Sequence, residues 1–211
     1  MITVEILSDP VCPWCYIGWT NLARAMEAAP NHPLAVSWHP FMLNPDMPEG
    51  GMARRAYLEA KFGPEGADAY APRIEAAAKE AGLAIDLGAI ARTPSTLDAH
   101  RLIHWAGIEG RQTAVAVRLF RAYFREGRDI GDRETLADLG AEAGMDVAAL
   151  RRLLSSDADV AEVRAAATQA RERGASGVPT FIVAKRHAVT GAQPVETWAR
   201  VIAELGGRAE A

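Results

Sequence analysis

Residues 8–18, SDPVCPWCYIG, contain both cysteines of the chain, Cys12 and Cys15, separated by two residues. The preceding residues 3–7 are apolar and partly β-branched, which predicts a short buried strand. Proline is tolerated in the first turn of a helix, so Pro13 favours a helix that begins at or near Cys12. Two cysteines are too few for a disulfide framework, and their C-x-x-C spacing indicates redox chemistry.

A cysteine at the start of a helix lies among unpaired N–H groups that favour negative charge. A thiolate is the attacking species in disulfide exchange, so Cys12 is the predicted nucleophile, with an exposed sulfur. Cys15 lies one turn further in, where we expect it to be shielded and to attack Cys12 in the resolving step. Pro13 stiffens the turn, and Trp14 presents an apolar face beside the sulfur.

The remaining sequence has strand patterns at its two ends and helical patterns between them. The predicted strands cover residues 35–42, 181–183 and 188–190, and a closing helix covers 195–205. Further helices are predicted at 65–81, 96–108, 112–126, 133–143, 147–154 and 158–173, with Asp132 and Asp146 as N-caps and Gly127, Gly144 and Gly174 as stops. Because neither end alone offers a sheet with a covered face, we expect residues 1–51 and 175–211 to form one domain, into which a helical domain of residues 52–174 is inserted.

Composition excludes several classes of partner. The chain of 211 residues has a net charge of -4 and is 49% hydrophobic. This charge does not favour nucleic acid or an anionic membrane, and no apolar run is long enough to span a bilayer. The first residues lack the pattern of a secretory signal, so the sequence predicts a cytoplasmic protein in a reducing environment.

Several motifs together resemble a known family. Residues 8–18 resemble the DsbA-like branch of the thioredoxin superfamily, and its FrnE-like group in particular. Residues 177–180, GVPT, look like the cis-proline loop of that superfamily, and 40–45, 98–102 and 191–194 resemble further signatures of the group. The resemblance implies an α/β thioredoxin fold with a large all-helical insertion, and the activity of a thiol–disulfide oxidoreductase that acts on protein or small thiol substrates.

The resemblance also implies roles for individual residues. Pro179 is expected to follow a cis peptide bond, with the Val178 backbone available to pair with a substrate. Phe41 and Asn44 are candidate substrate-binding residues. No bound cofactor and no metal are expected, whereas glutathione is a candidate co-substrate. Relatives of this architecture are often dimers, so a homodimer is a further expectation.

Two positions depart from the family pattern. An acidic residue usually lies buried six positions before the first cysteine, and this chain has Ile6 there. His39 on the second strand is a candidate substitute, although a strand histidine is more often simply packed. The periplasmic oxidant has a histidine between its cysteines where this chain has Trp14, so we predict a pair less oxidising than about −120 mV.

Three alternatives remain at this stage. The same architecture resembles the glutathione-dependent 2-hydroxychromene-2-carboxylate isomerases and kappa-class transferases, but these have serine at position 12, and an Asp-Arg pair where this chain has Gln193 and Pro194. A C-x-x-C pair can also supply two of the four ligands that a structural zinc site needs. The histidines that would complete it are scattered, at His32, His39, His100, His104 and His187. Lastly, the two cysteines are compatible with a purely structural role.

Overall fold

The computed structural model describes residues 1–209, with side chains described through residue 207. The strands are β1 (Ile2–Ser8), β2 (Leu34–Pro40), β3 (Met52–Ala53), β4 (Arg92–Thr93), β5 (Thr180–Val183) and β6 (His187–Thr190). The helices are α1 (Pro13–Ala28), α2 (Arg54–Glu80), α3 (Leu97–Ile108), α4 (Gln112–Glu126), α5 (Arg133–Glu142), α6 (Val147–Leu154), α7 (Val160–Glu172) and α8 (Val195–Ala209). Residues 210–211, the C-terminal end of the domain predicted to comprise 1–51 and 175–211, lie outside the described residues.

The two ends of the chain meet in one mixed sheet, as predicted. Its strand order is β2-β1-β5-β6, with β1 parallel to β2 and antiparallel to β5, and with β5 antiparallel to β6. β3 and β4 form a separate two-stranded ribbon. The fold is therefore the expected thioredoxin fold, with six of the eight described helices falling between β2 and β5 in the sequence.

Local sequence signals explain most helix boundaries. The Asp132 carboxylate accepts a hydrogen bond from Thr135 N at 2.8 Å, and Asp146 accepts one from Ala149 N at 2.7 Å, so both predicted N-caps are confirmed. Gly127 follows α4 with φ of 63°, a left-handed conformation that glycine adopts without steric cost.

α2 is longer than predicted. The expected helix at 65–81 is only its second part, because the chain is already helical from Arg54. Gly63, with φ of 73° and ψ of 169°, interrupts the helix just before Pro64. The structure therefore has a helical segment on each side of the break.

The two faces of the sheet have different surroundings. Ile6 pairs with Trp38, and both contribute to the large core beneath α1, α4 and α8. The adjacent pair, Leu7 and His39, points to the other face, where α7 packs. Among the described residues, no helix is both long and apolar enough to cross a membrane.

The start of α4 is hydrogen-bonded to the free edge of β2. Trp38 N donates to Gln112 Oε1 at 2.9 Å, and Gln112 Nε2 donates to Trp38 O at 3.0 Å. The Trp38 indole also donates to Thr113 Oγ1 at 3.0 Å. The start of α4 therefore satisfies backbone groups that an edge strand would otherwise expose.

Candidate functional site

Cys12 is the N-cap residue of α1. Its backbone is extended, with φ of -91° and ψ of 112°, and Pro13 follows as the first helical residue. The Cys12 carbonyl accepts from Cys15 N at 3.1 Å and Tyr16 N at 3.4 Å. No side-chain group caps this helix start. The sulfur therefore belongs to the residue at which the N–H groups of α1 lack internal partners.

The Cys12 sulfur is covered, which contradicts the prediction that it is exposed. The residue is only 4% exposed, and its Sγ lies 3.7 Å from the Val178 carbonyl oxygen. The Val178–Pro179 peptide bond is cis. Tyr70 of α2 is also affected by this site: burial raises the pKa of its hydroxyl, and a charge on Cys12 adds to this rise. Val178 and Tyr70 are both distant from Cys12 in the sequence, so local sequence gave no sign of either.

Cys15 is buried more deeply, as predicted, with 1% exposure. Burial raises the pKa of its thiol well above the usual value, and the neighbouring Cys12 raises it further. The Ser8 hydroxyl and the Asp9 backbone act in the opposite direction. Both cysteines are free thiols in this structure. They therefore form an outer and an inner thiol within one helical turn.

A glycine allows α1 to approach the loop that carries Val178 and Pro179. A Cβ at Gly18 would lie 3.1 Å from Pro179 Cγ and 3.3 Å from a ring carbon of Phe181. One turn further, Asn21 Nδ2 donates to Gln193 O at 2.9 Å. The helix that carries the thiols is therefore packed against the Pro179 loop and hydrogen-bonded to the turn that follows β6.

The two candidate substrate-binding residues lie in different environments. Phe41 is 3% exposed and packs with Leu7 and Ala170, with the Arg171 guanidinium 4.3 Å from its ring centroid. Asn44 is half-buried, and its Nδ2 lies 3.1 Å from the Tyr57 hydroxyl. Phe41 therefore supports the loop from within, whereas Asn44 is accessible.

Two cations on α2 were missed in the sequence analysis. Lys61 Nζ donates to the Tyr57 hydroxyl at 2.8 Å. The Arg54 guanidinium lies 5.2 Å from the ring centroid of Tyr70, whose pKa is raised by a charge on Cys12. Arg54 is 8% exposed, and within residues 1–207 its Nη2 has no hydrogen-bond partner. Their spacing of seven residues places them on one helix face, but the predicted helix began only at residue 65 and so did not include them.

His39 does not replace the missing acidic residue. Ile6, at the expected position of that residue, is 1% exposed on the side of α1. His39 is paired with Leu7 on the opposite face, where it is exposed and lies 3.2 Å from the Ser37 hydroxyl. Strand alternation therefore separates His39 from the cysteines, and the interpretation is wrong.

A different acid and histidine lie behind the helix start. Asp9 is fully buried, and its Oδ1 is 3.9 Å from Nε2 of His100, which is 3% exposed. Burial raises the pKa of Asp9 to about 6 and lowers the pKa of His100 to about 4. From the sequence, Asp9 is a candidate either to cap the approaching helix or to tune Cys12, with capping favoured, and nothing in the 90 intervening positions indicates that His100 is its neighbour.

One group within residues 1–207 has the composition of a metal site. Ligand atoms of His104, Asp159 and Glu162 lie within 4.8 Å of one another, between α3 and the start of α7. The Trp105 indole donates to Asp159 Oδ2 at 2.7 Å, so this carboxylate already has a partner. Neither cysteine belongs to the group.

Comparisons with known proteins agree with this geometry. A family model described as a DSBA-like thioredoxin domain matches residues 3–203. A crystal structure of a probable DsbA oxidoreductase from Streptomyces coelicolor is 33% identical, with a TM-score of 0.86, and the match covers 98% of this chain and 91% of that one. An uncharacterised Bacillus subtilis (strain 168) protein, YwbO, is 28% identical over 183 residues, which are 86% of each chain.

A more distant structure shares the fold. The cytosolic disulfide reductase DsbM from Pseudomonas aeruginosa, whose structure was determined with GSH, is 23% identical with a TM-score of 0.69, over 99% of this chain and 100% of that one. Since the family model spans nearly all of the sequence and the thiol pair lies at the start of α1, this chain belongs to the family of DSBA-like thioredoxin domains.

Proposed function

We propose that this protein is a thiol–disulfide oxidoreductase that exchanges disulfides with protein or small thiol substrates through its CPWC pair. The observation that carries the proposal is the arrangement of two free thiols, one at the N-cap of α1 against the Val178 carbonyl and one buried a turn further in. Two cysteines with a purely structural role would require neither a position at a helix start nor the Val178 carbonyl beside the sulfur.

The exchange takes place in two steps. The Cys12 thiolate attacks one sulfur of a substrate disulfide, that S–S bond breaks, and the other substrate sulfur leaves as a thiolate. Cys15 then loses its proton and attacks the Cys12 sulfur, forming the intramolecular disulfide and releasing the second substrate thiolate. Two electrons pass from the cysteine pair to the substrate, and the reverse sequence oxidises a dithiol.

Four neighbouring residues support the pair. Pro13 fixes the first turn of α1, and Trp14, half-buried, lies with its ring centroid 5.5 Å from the Arg73 guanidinium. Pro179 holds the loop against Gly18, while the Val178 carbonyl faces the nucleophile. We assign to the Val178 backbone the role of pairing with the main chain of a substrate, in the manner of an added strand.

We propose glutathione as a co-substrate. It carries two carboxylates, and α2 carries the buried Arg54 and the exposed Lys61, neither of which forms an ion pair with a carboxylate within the described chain. Arginine binds carboxylates with a planar, two-pronged geometry. Asn44 beside Tyr57 adds a further polar contact. The distant relative DsbM was determined with GSH, which agrees with this assignment.

We also propose where the pair operates and in which direction. Trp14 adds no positive charge to the thiolate, so the reduction potential is expected to be more negative than about −120 mV. Such a pair suits a reducing cytoplasm, and DsbM is described as cytosolic. Membership of the FrnE-like group and a homodimeric state remain predictions.

The experiment that tests the proposal is mixed-disulfide trapping. In Cys15→Ser the resolving thiol is absent, so incubation with oxidised glutathione or insulin should leave a covalent adduct on Cys12, detected by its mass. Cys12→Ser is the matched control and should form no such adduct. Wild-type protein that neither reduces insulin nor glutathione disulfide would refute the proposal.

The glutathione-dependent isomerase remains the alternative. It is favoured by the position of Asn44 beside Lys61, where a small anionic substrate has access. It predicts turnover of a hydroxychromene carboxylate with catalytic glutathione, and retention of that turnover in Cys12→Ser, because serine is the residue these isomerases use. Insulin reduction that is lost in the same variant decides for disulfide exchange.

A further inference from the structure

Asp9 and His100 form a buried acid–histidine pair directly behind the helix start. Asp9 begins the turn that follows β1, and His100 comes from α3, so two distant segments meet here. Neither side chain reaches solvent, with exposures of 0% and 3%. The exchange mechanism described above uses neither of them.

Both side chains interact with backbone groups near the cysteines, in the loop before α1 and in the segment after β2. Asp9 Oδ1 accepts from Val11 N at 3.3 Å, and Oδ2 accepts from Leu43 N at 2.7 Å. A ring nitrogen of His100 faces the Phe41 carbonyl, which keeps the proton of a neutral ring on that side. The pair therefore links the loop before α1 to the segment after β2.

The remaining ring nitrogen faces the carboxylate without a hydrogen bond. Nε2 of His100 is buried, has no partner among the described side chains and backbone, and lies 3.9 Å from Asp9 Oδ1. With neutral histidine and ionised aspartate, two acceptors would face each other. One added proton on either atom converts this repulsion into a donor–acceptor pair.

Burial favours the state with that proton. It raises the pKa of Asp9 to about 6 and lowers the pKa of His100 to about 4, so protonated aspartic acid beside neutral histidine is the preferred state between about pH 4 and pH 6. Above this pH, Asp9 becomes a buried anion three residues before Cys12, and a buried anion opposes a second negative charge nearby.

We propose that Asp9 and His100 act as one proton-holding pair that positions the loop before α1 and sets the pH dependence of the reaction at Cys12. The inference rests on the proposed function. While the pair holds its proton, the start of α1 stabilises the thiolate without opposition. When the proton leaves, the Asp9 carboxylate counteracts this stabilisation. Both residues are positioning residues, since neither contacts a substrate.

Charged or titratable groups from other helices lie near this pair. Lys61 of α2 and Tyr123 of α4 interact with Asp9, and Arg171 of α7 contacts the segment after β2. Of the α1 cysteines, Cys15 has a pKa that burial raises well above its usual value, so its thiol stays protonated near neutral pH. Lys61 lowers the pKa of Asp9, and burial raises that of Tyr123, which stays neutral. Arg171 binds the Met42 carbonyl in the adjacent segment.

The test measures how the alkylation rate of Cys12 depends on pH, in a Cys15→Ser background. In the parent we expect two ionisations, one from the thiol and one from the pair. Asp9→Asn removes the carboxylate, so alkylation at pH 7 should rise about three- to tenfold. In His100→Gln the amide donates to Asp9 and keeps it ionised, so alkylation at pH 5 should fall by a similar factor, about three- to tenfold.

His104→Gln is the matched control. It removes a histidine one turn further along α3, and its profile should coincide with that of the parent. A purely structural role for the pair would lower the melting temperature or slow alkylation equally at every pH, and parallel profiles of this kind overturn the inference. Because insulin reduction is measured separately, an active wild type with unchanged profiles refutes the pair and leaves the exchange chemistry intact.

A measurement on the wild type avoids any dependence on how the variants fold. Nitrogen-15 NMR of the histidine rings should show His100 protonated at the nitrogen facing Phe41 throughout, with the Nε2 resonance shifting between about pH 5 and 7 as Asp9 loses its proton. A His100 ring that takes up its second proton near the usual value for histidine, about 6.5, would contradict the proposal.

Discussion

The two faces of the central sheet are built from alternating residues of the same strands, yet they are packed differently. Toward α1 and α8, Ile6 is 1% exposed and Phe181 meets Trp198 edge-on, with ring centroids 4.7 Å apart. Toward α7, Leu7 and Ile182 line a groove that also contains the exposed His39. Both thiols lie on the closely packed side.

This difference shows why the reactive pair lies where it does. The closely packed face holds α1 and the Pro179 loop at van der Waals distance, so the positions of sulfur and backbone are fixed by core packing. The open face offers space, but neither of the two thiols lies on it. If this comparison is correct, substitutions of similar size should have very different effects on the two faces.

The largest effect is expected at the nucleophile. Cys12→Ser should lower the rate of insulin or glutathione-disulfide reduction by at least about 10³-fold, because a serine hydroxyl does not ionise at neutral pH and forms no disulfide. Turbidity of the precipitating insulin chains measures the rate. Cys15→Ser, with the nucleophile intact, should still form a mixed disulfide and then stall, so a full first exchange by Cys12→Ser would be inconsistent with the assigned order.

The next effect concerns stability of the packed face. Trp198→Ala removes a side chain with 0% exposure that contacts Phe181, and should lower the free energy of unfolding by about 3–5 kcal/mol. Ile182→Ala, on the groove side and half-buried, should cost less than about 2 kcal/mol. Urea denaturation of both variants measures the comparison, and equal losses would show that the two faces are packed alike.

The third prediction is a pH dependence of stability that arises from Asp9. Its pKa is raised from 3.8 in the unfolded chain to about 6 in the fold, so its stabilising contribution is complete below pH 3.8 and is lost as the pH rises through 6. Relative to Asp9→Asn, the wild type should therefore lose about 2.4 kcal/mol between pH 4 and pH 7. Chemical denaturation at each pH measures the difference, and a constant difference would exclude a buried, titrating carboxyl.

The parts of the site that were predictable are those encoded within a few residues. The helix start at Cys12, the depth of Cys15 and the caps at Asp132 and Asp146 all follow from local spacing and backbone chemistry. Strand patterns at the two ends were also enough to predict one shared sheet. The cis bond before Pro179 was expected from the family resemblance alone.

The parts that were missed depend on contacts between distant segments. His100 meets Asp9 only because α3 packs against β2, beside the first strand. Tyr70 of α2 is affected by a charge on Cys12 although the two residues are far apart in the sequence. His39 was considered as a substitute for the missing acidic residue, but it lies on the other face of the sheet. Once the register that pairs Ile6 with Trp38 is known, strand alternation places His39 on the face away from α1. Side-chain direction in a strand depends on register, which the sequence alone left open.

A smaller effect is expected where α1 approaches the cis-proline loop. In Gly18→Ala the new Cβ would lie 3.1 Å from Pro179 Cγ and 3.3 Å from the Ala192 backbone, so the loop must shift by a few tenths of an ångström. We expect a loss of about 1–2 kcal/mol in the free energy of unfolding, together with slower insulin reduction. Gly177→Ala, where a Cβ meets nothing within 4 Å, is the control in the same loop. Identical behaviour of the two variants would mean that the loop position does not matter.

The smallest effect is expected at His39, and it tests the comparison from the open side of the sheet. His39→Gln retains a hydrogen-bonding group near Ser37 and leaves the packed face untouched, so the free energy of unfolding should change by less than about 0.5 kcal/mol. The pH profile of Cys12 alkylation should also coincide with that of the wild type, because strand alternation places the imidazole on the far side of the sheet from α1. Measuring this profile beside that of His100→Gln compares the two faces directly. A profile that moves with His39 and not with His100 would assign the proton-holding role to the open face.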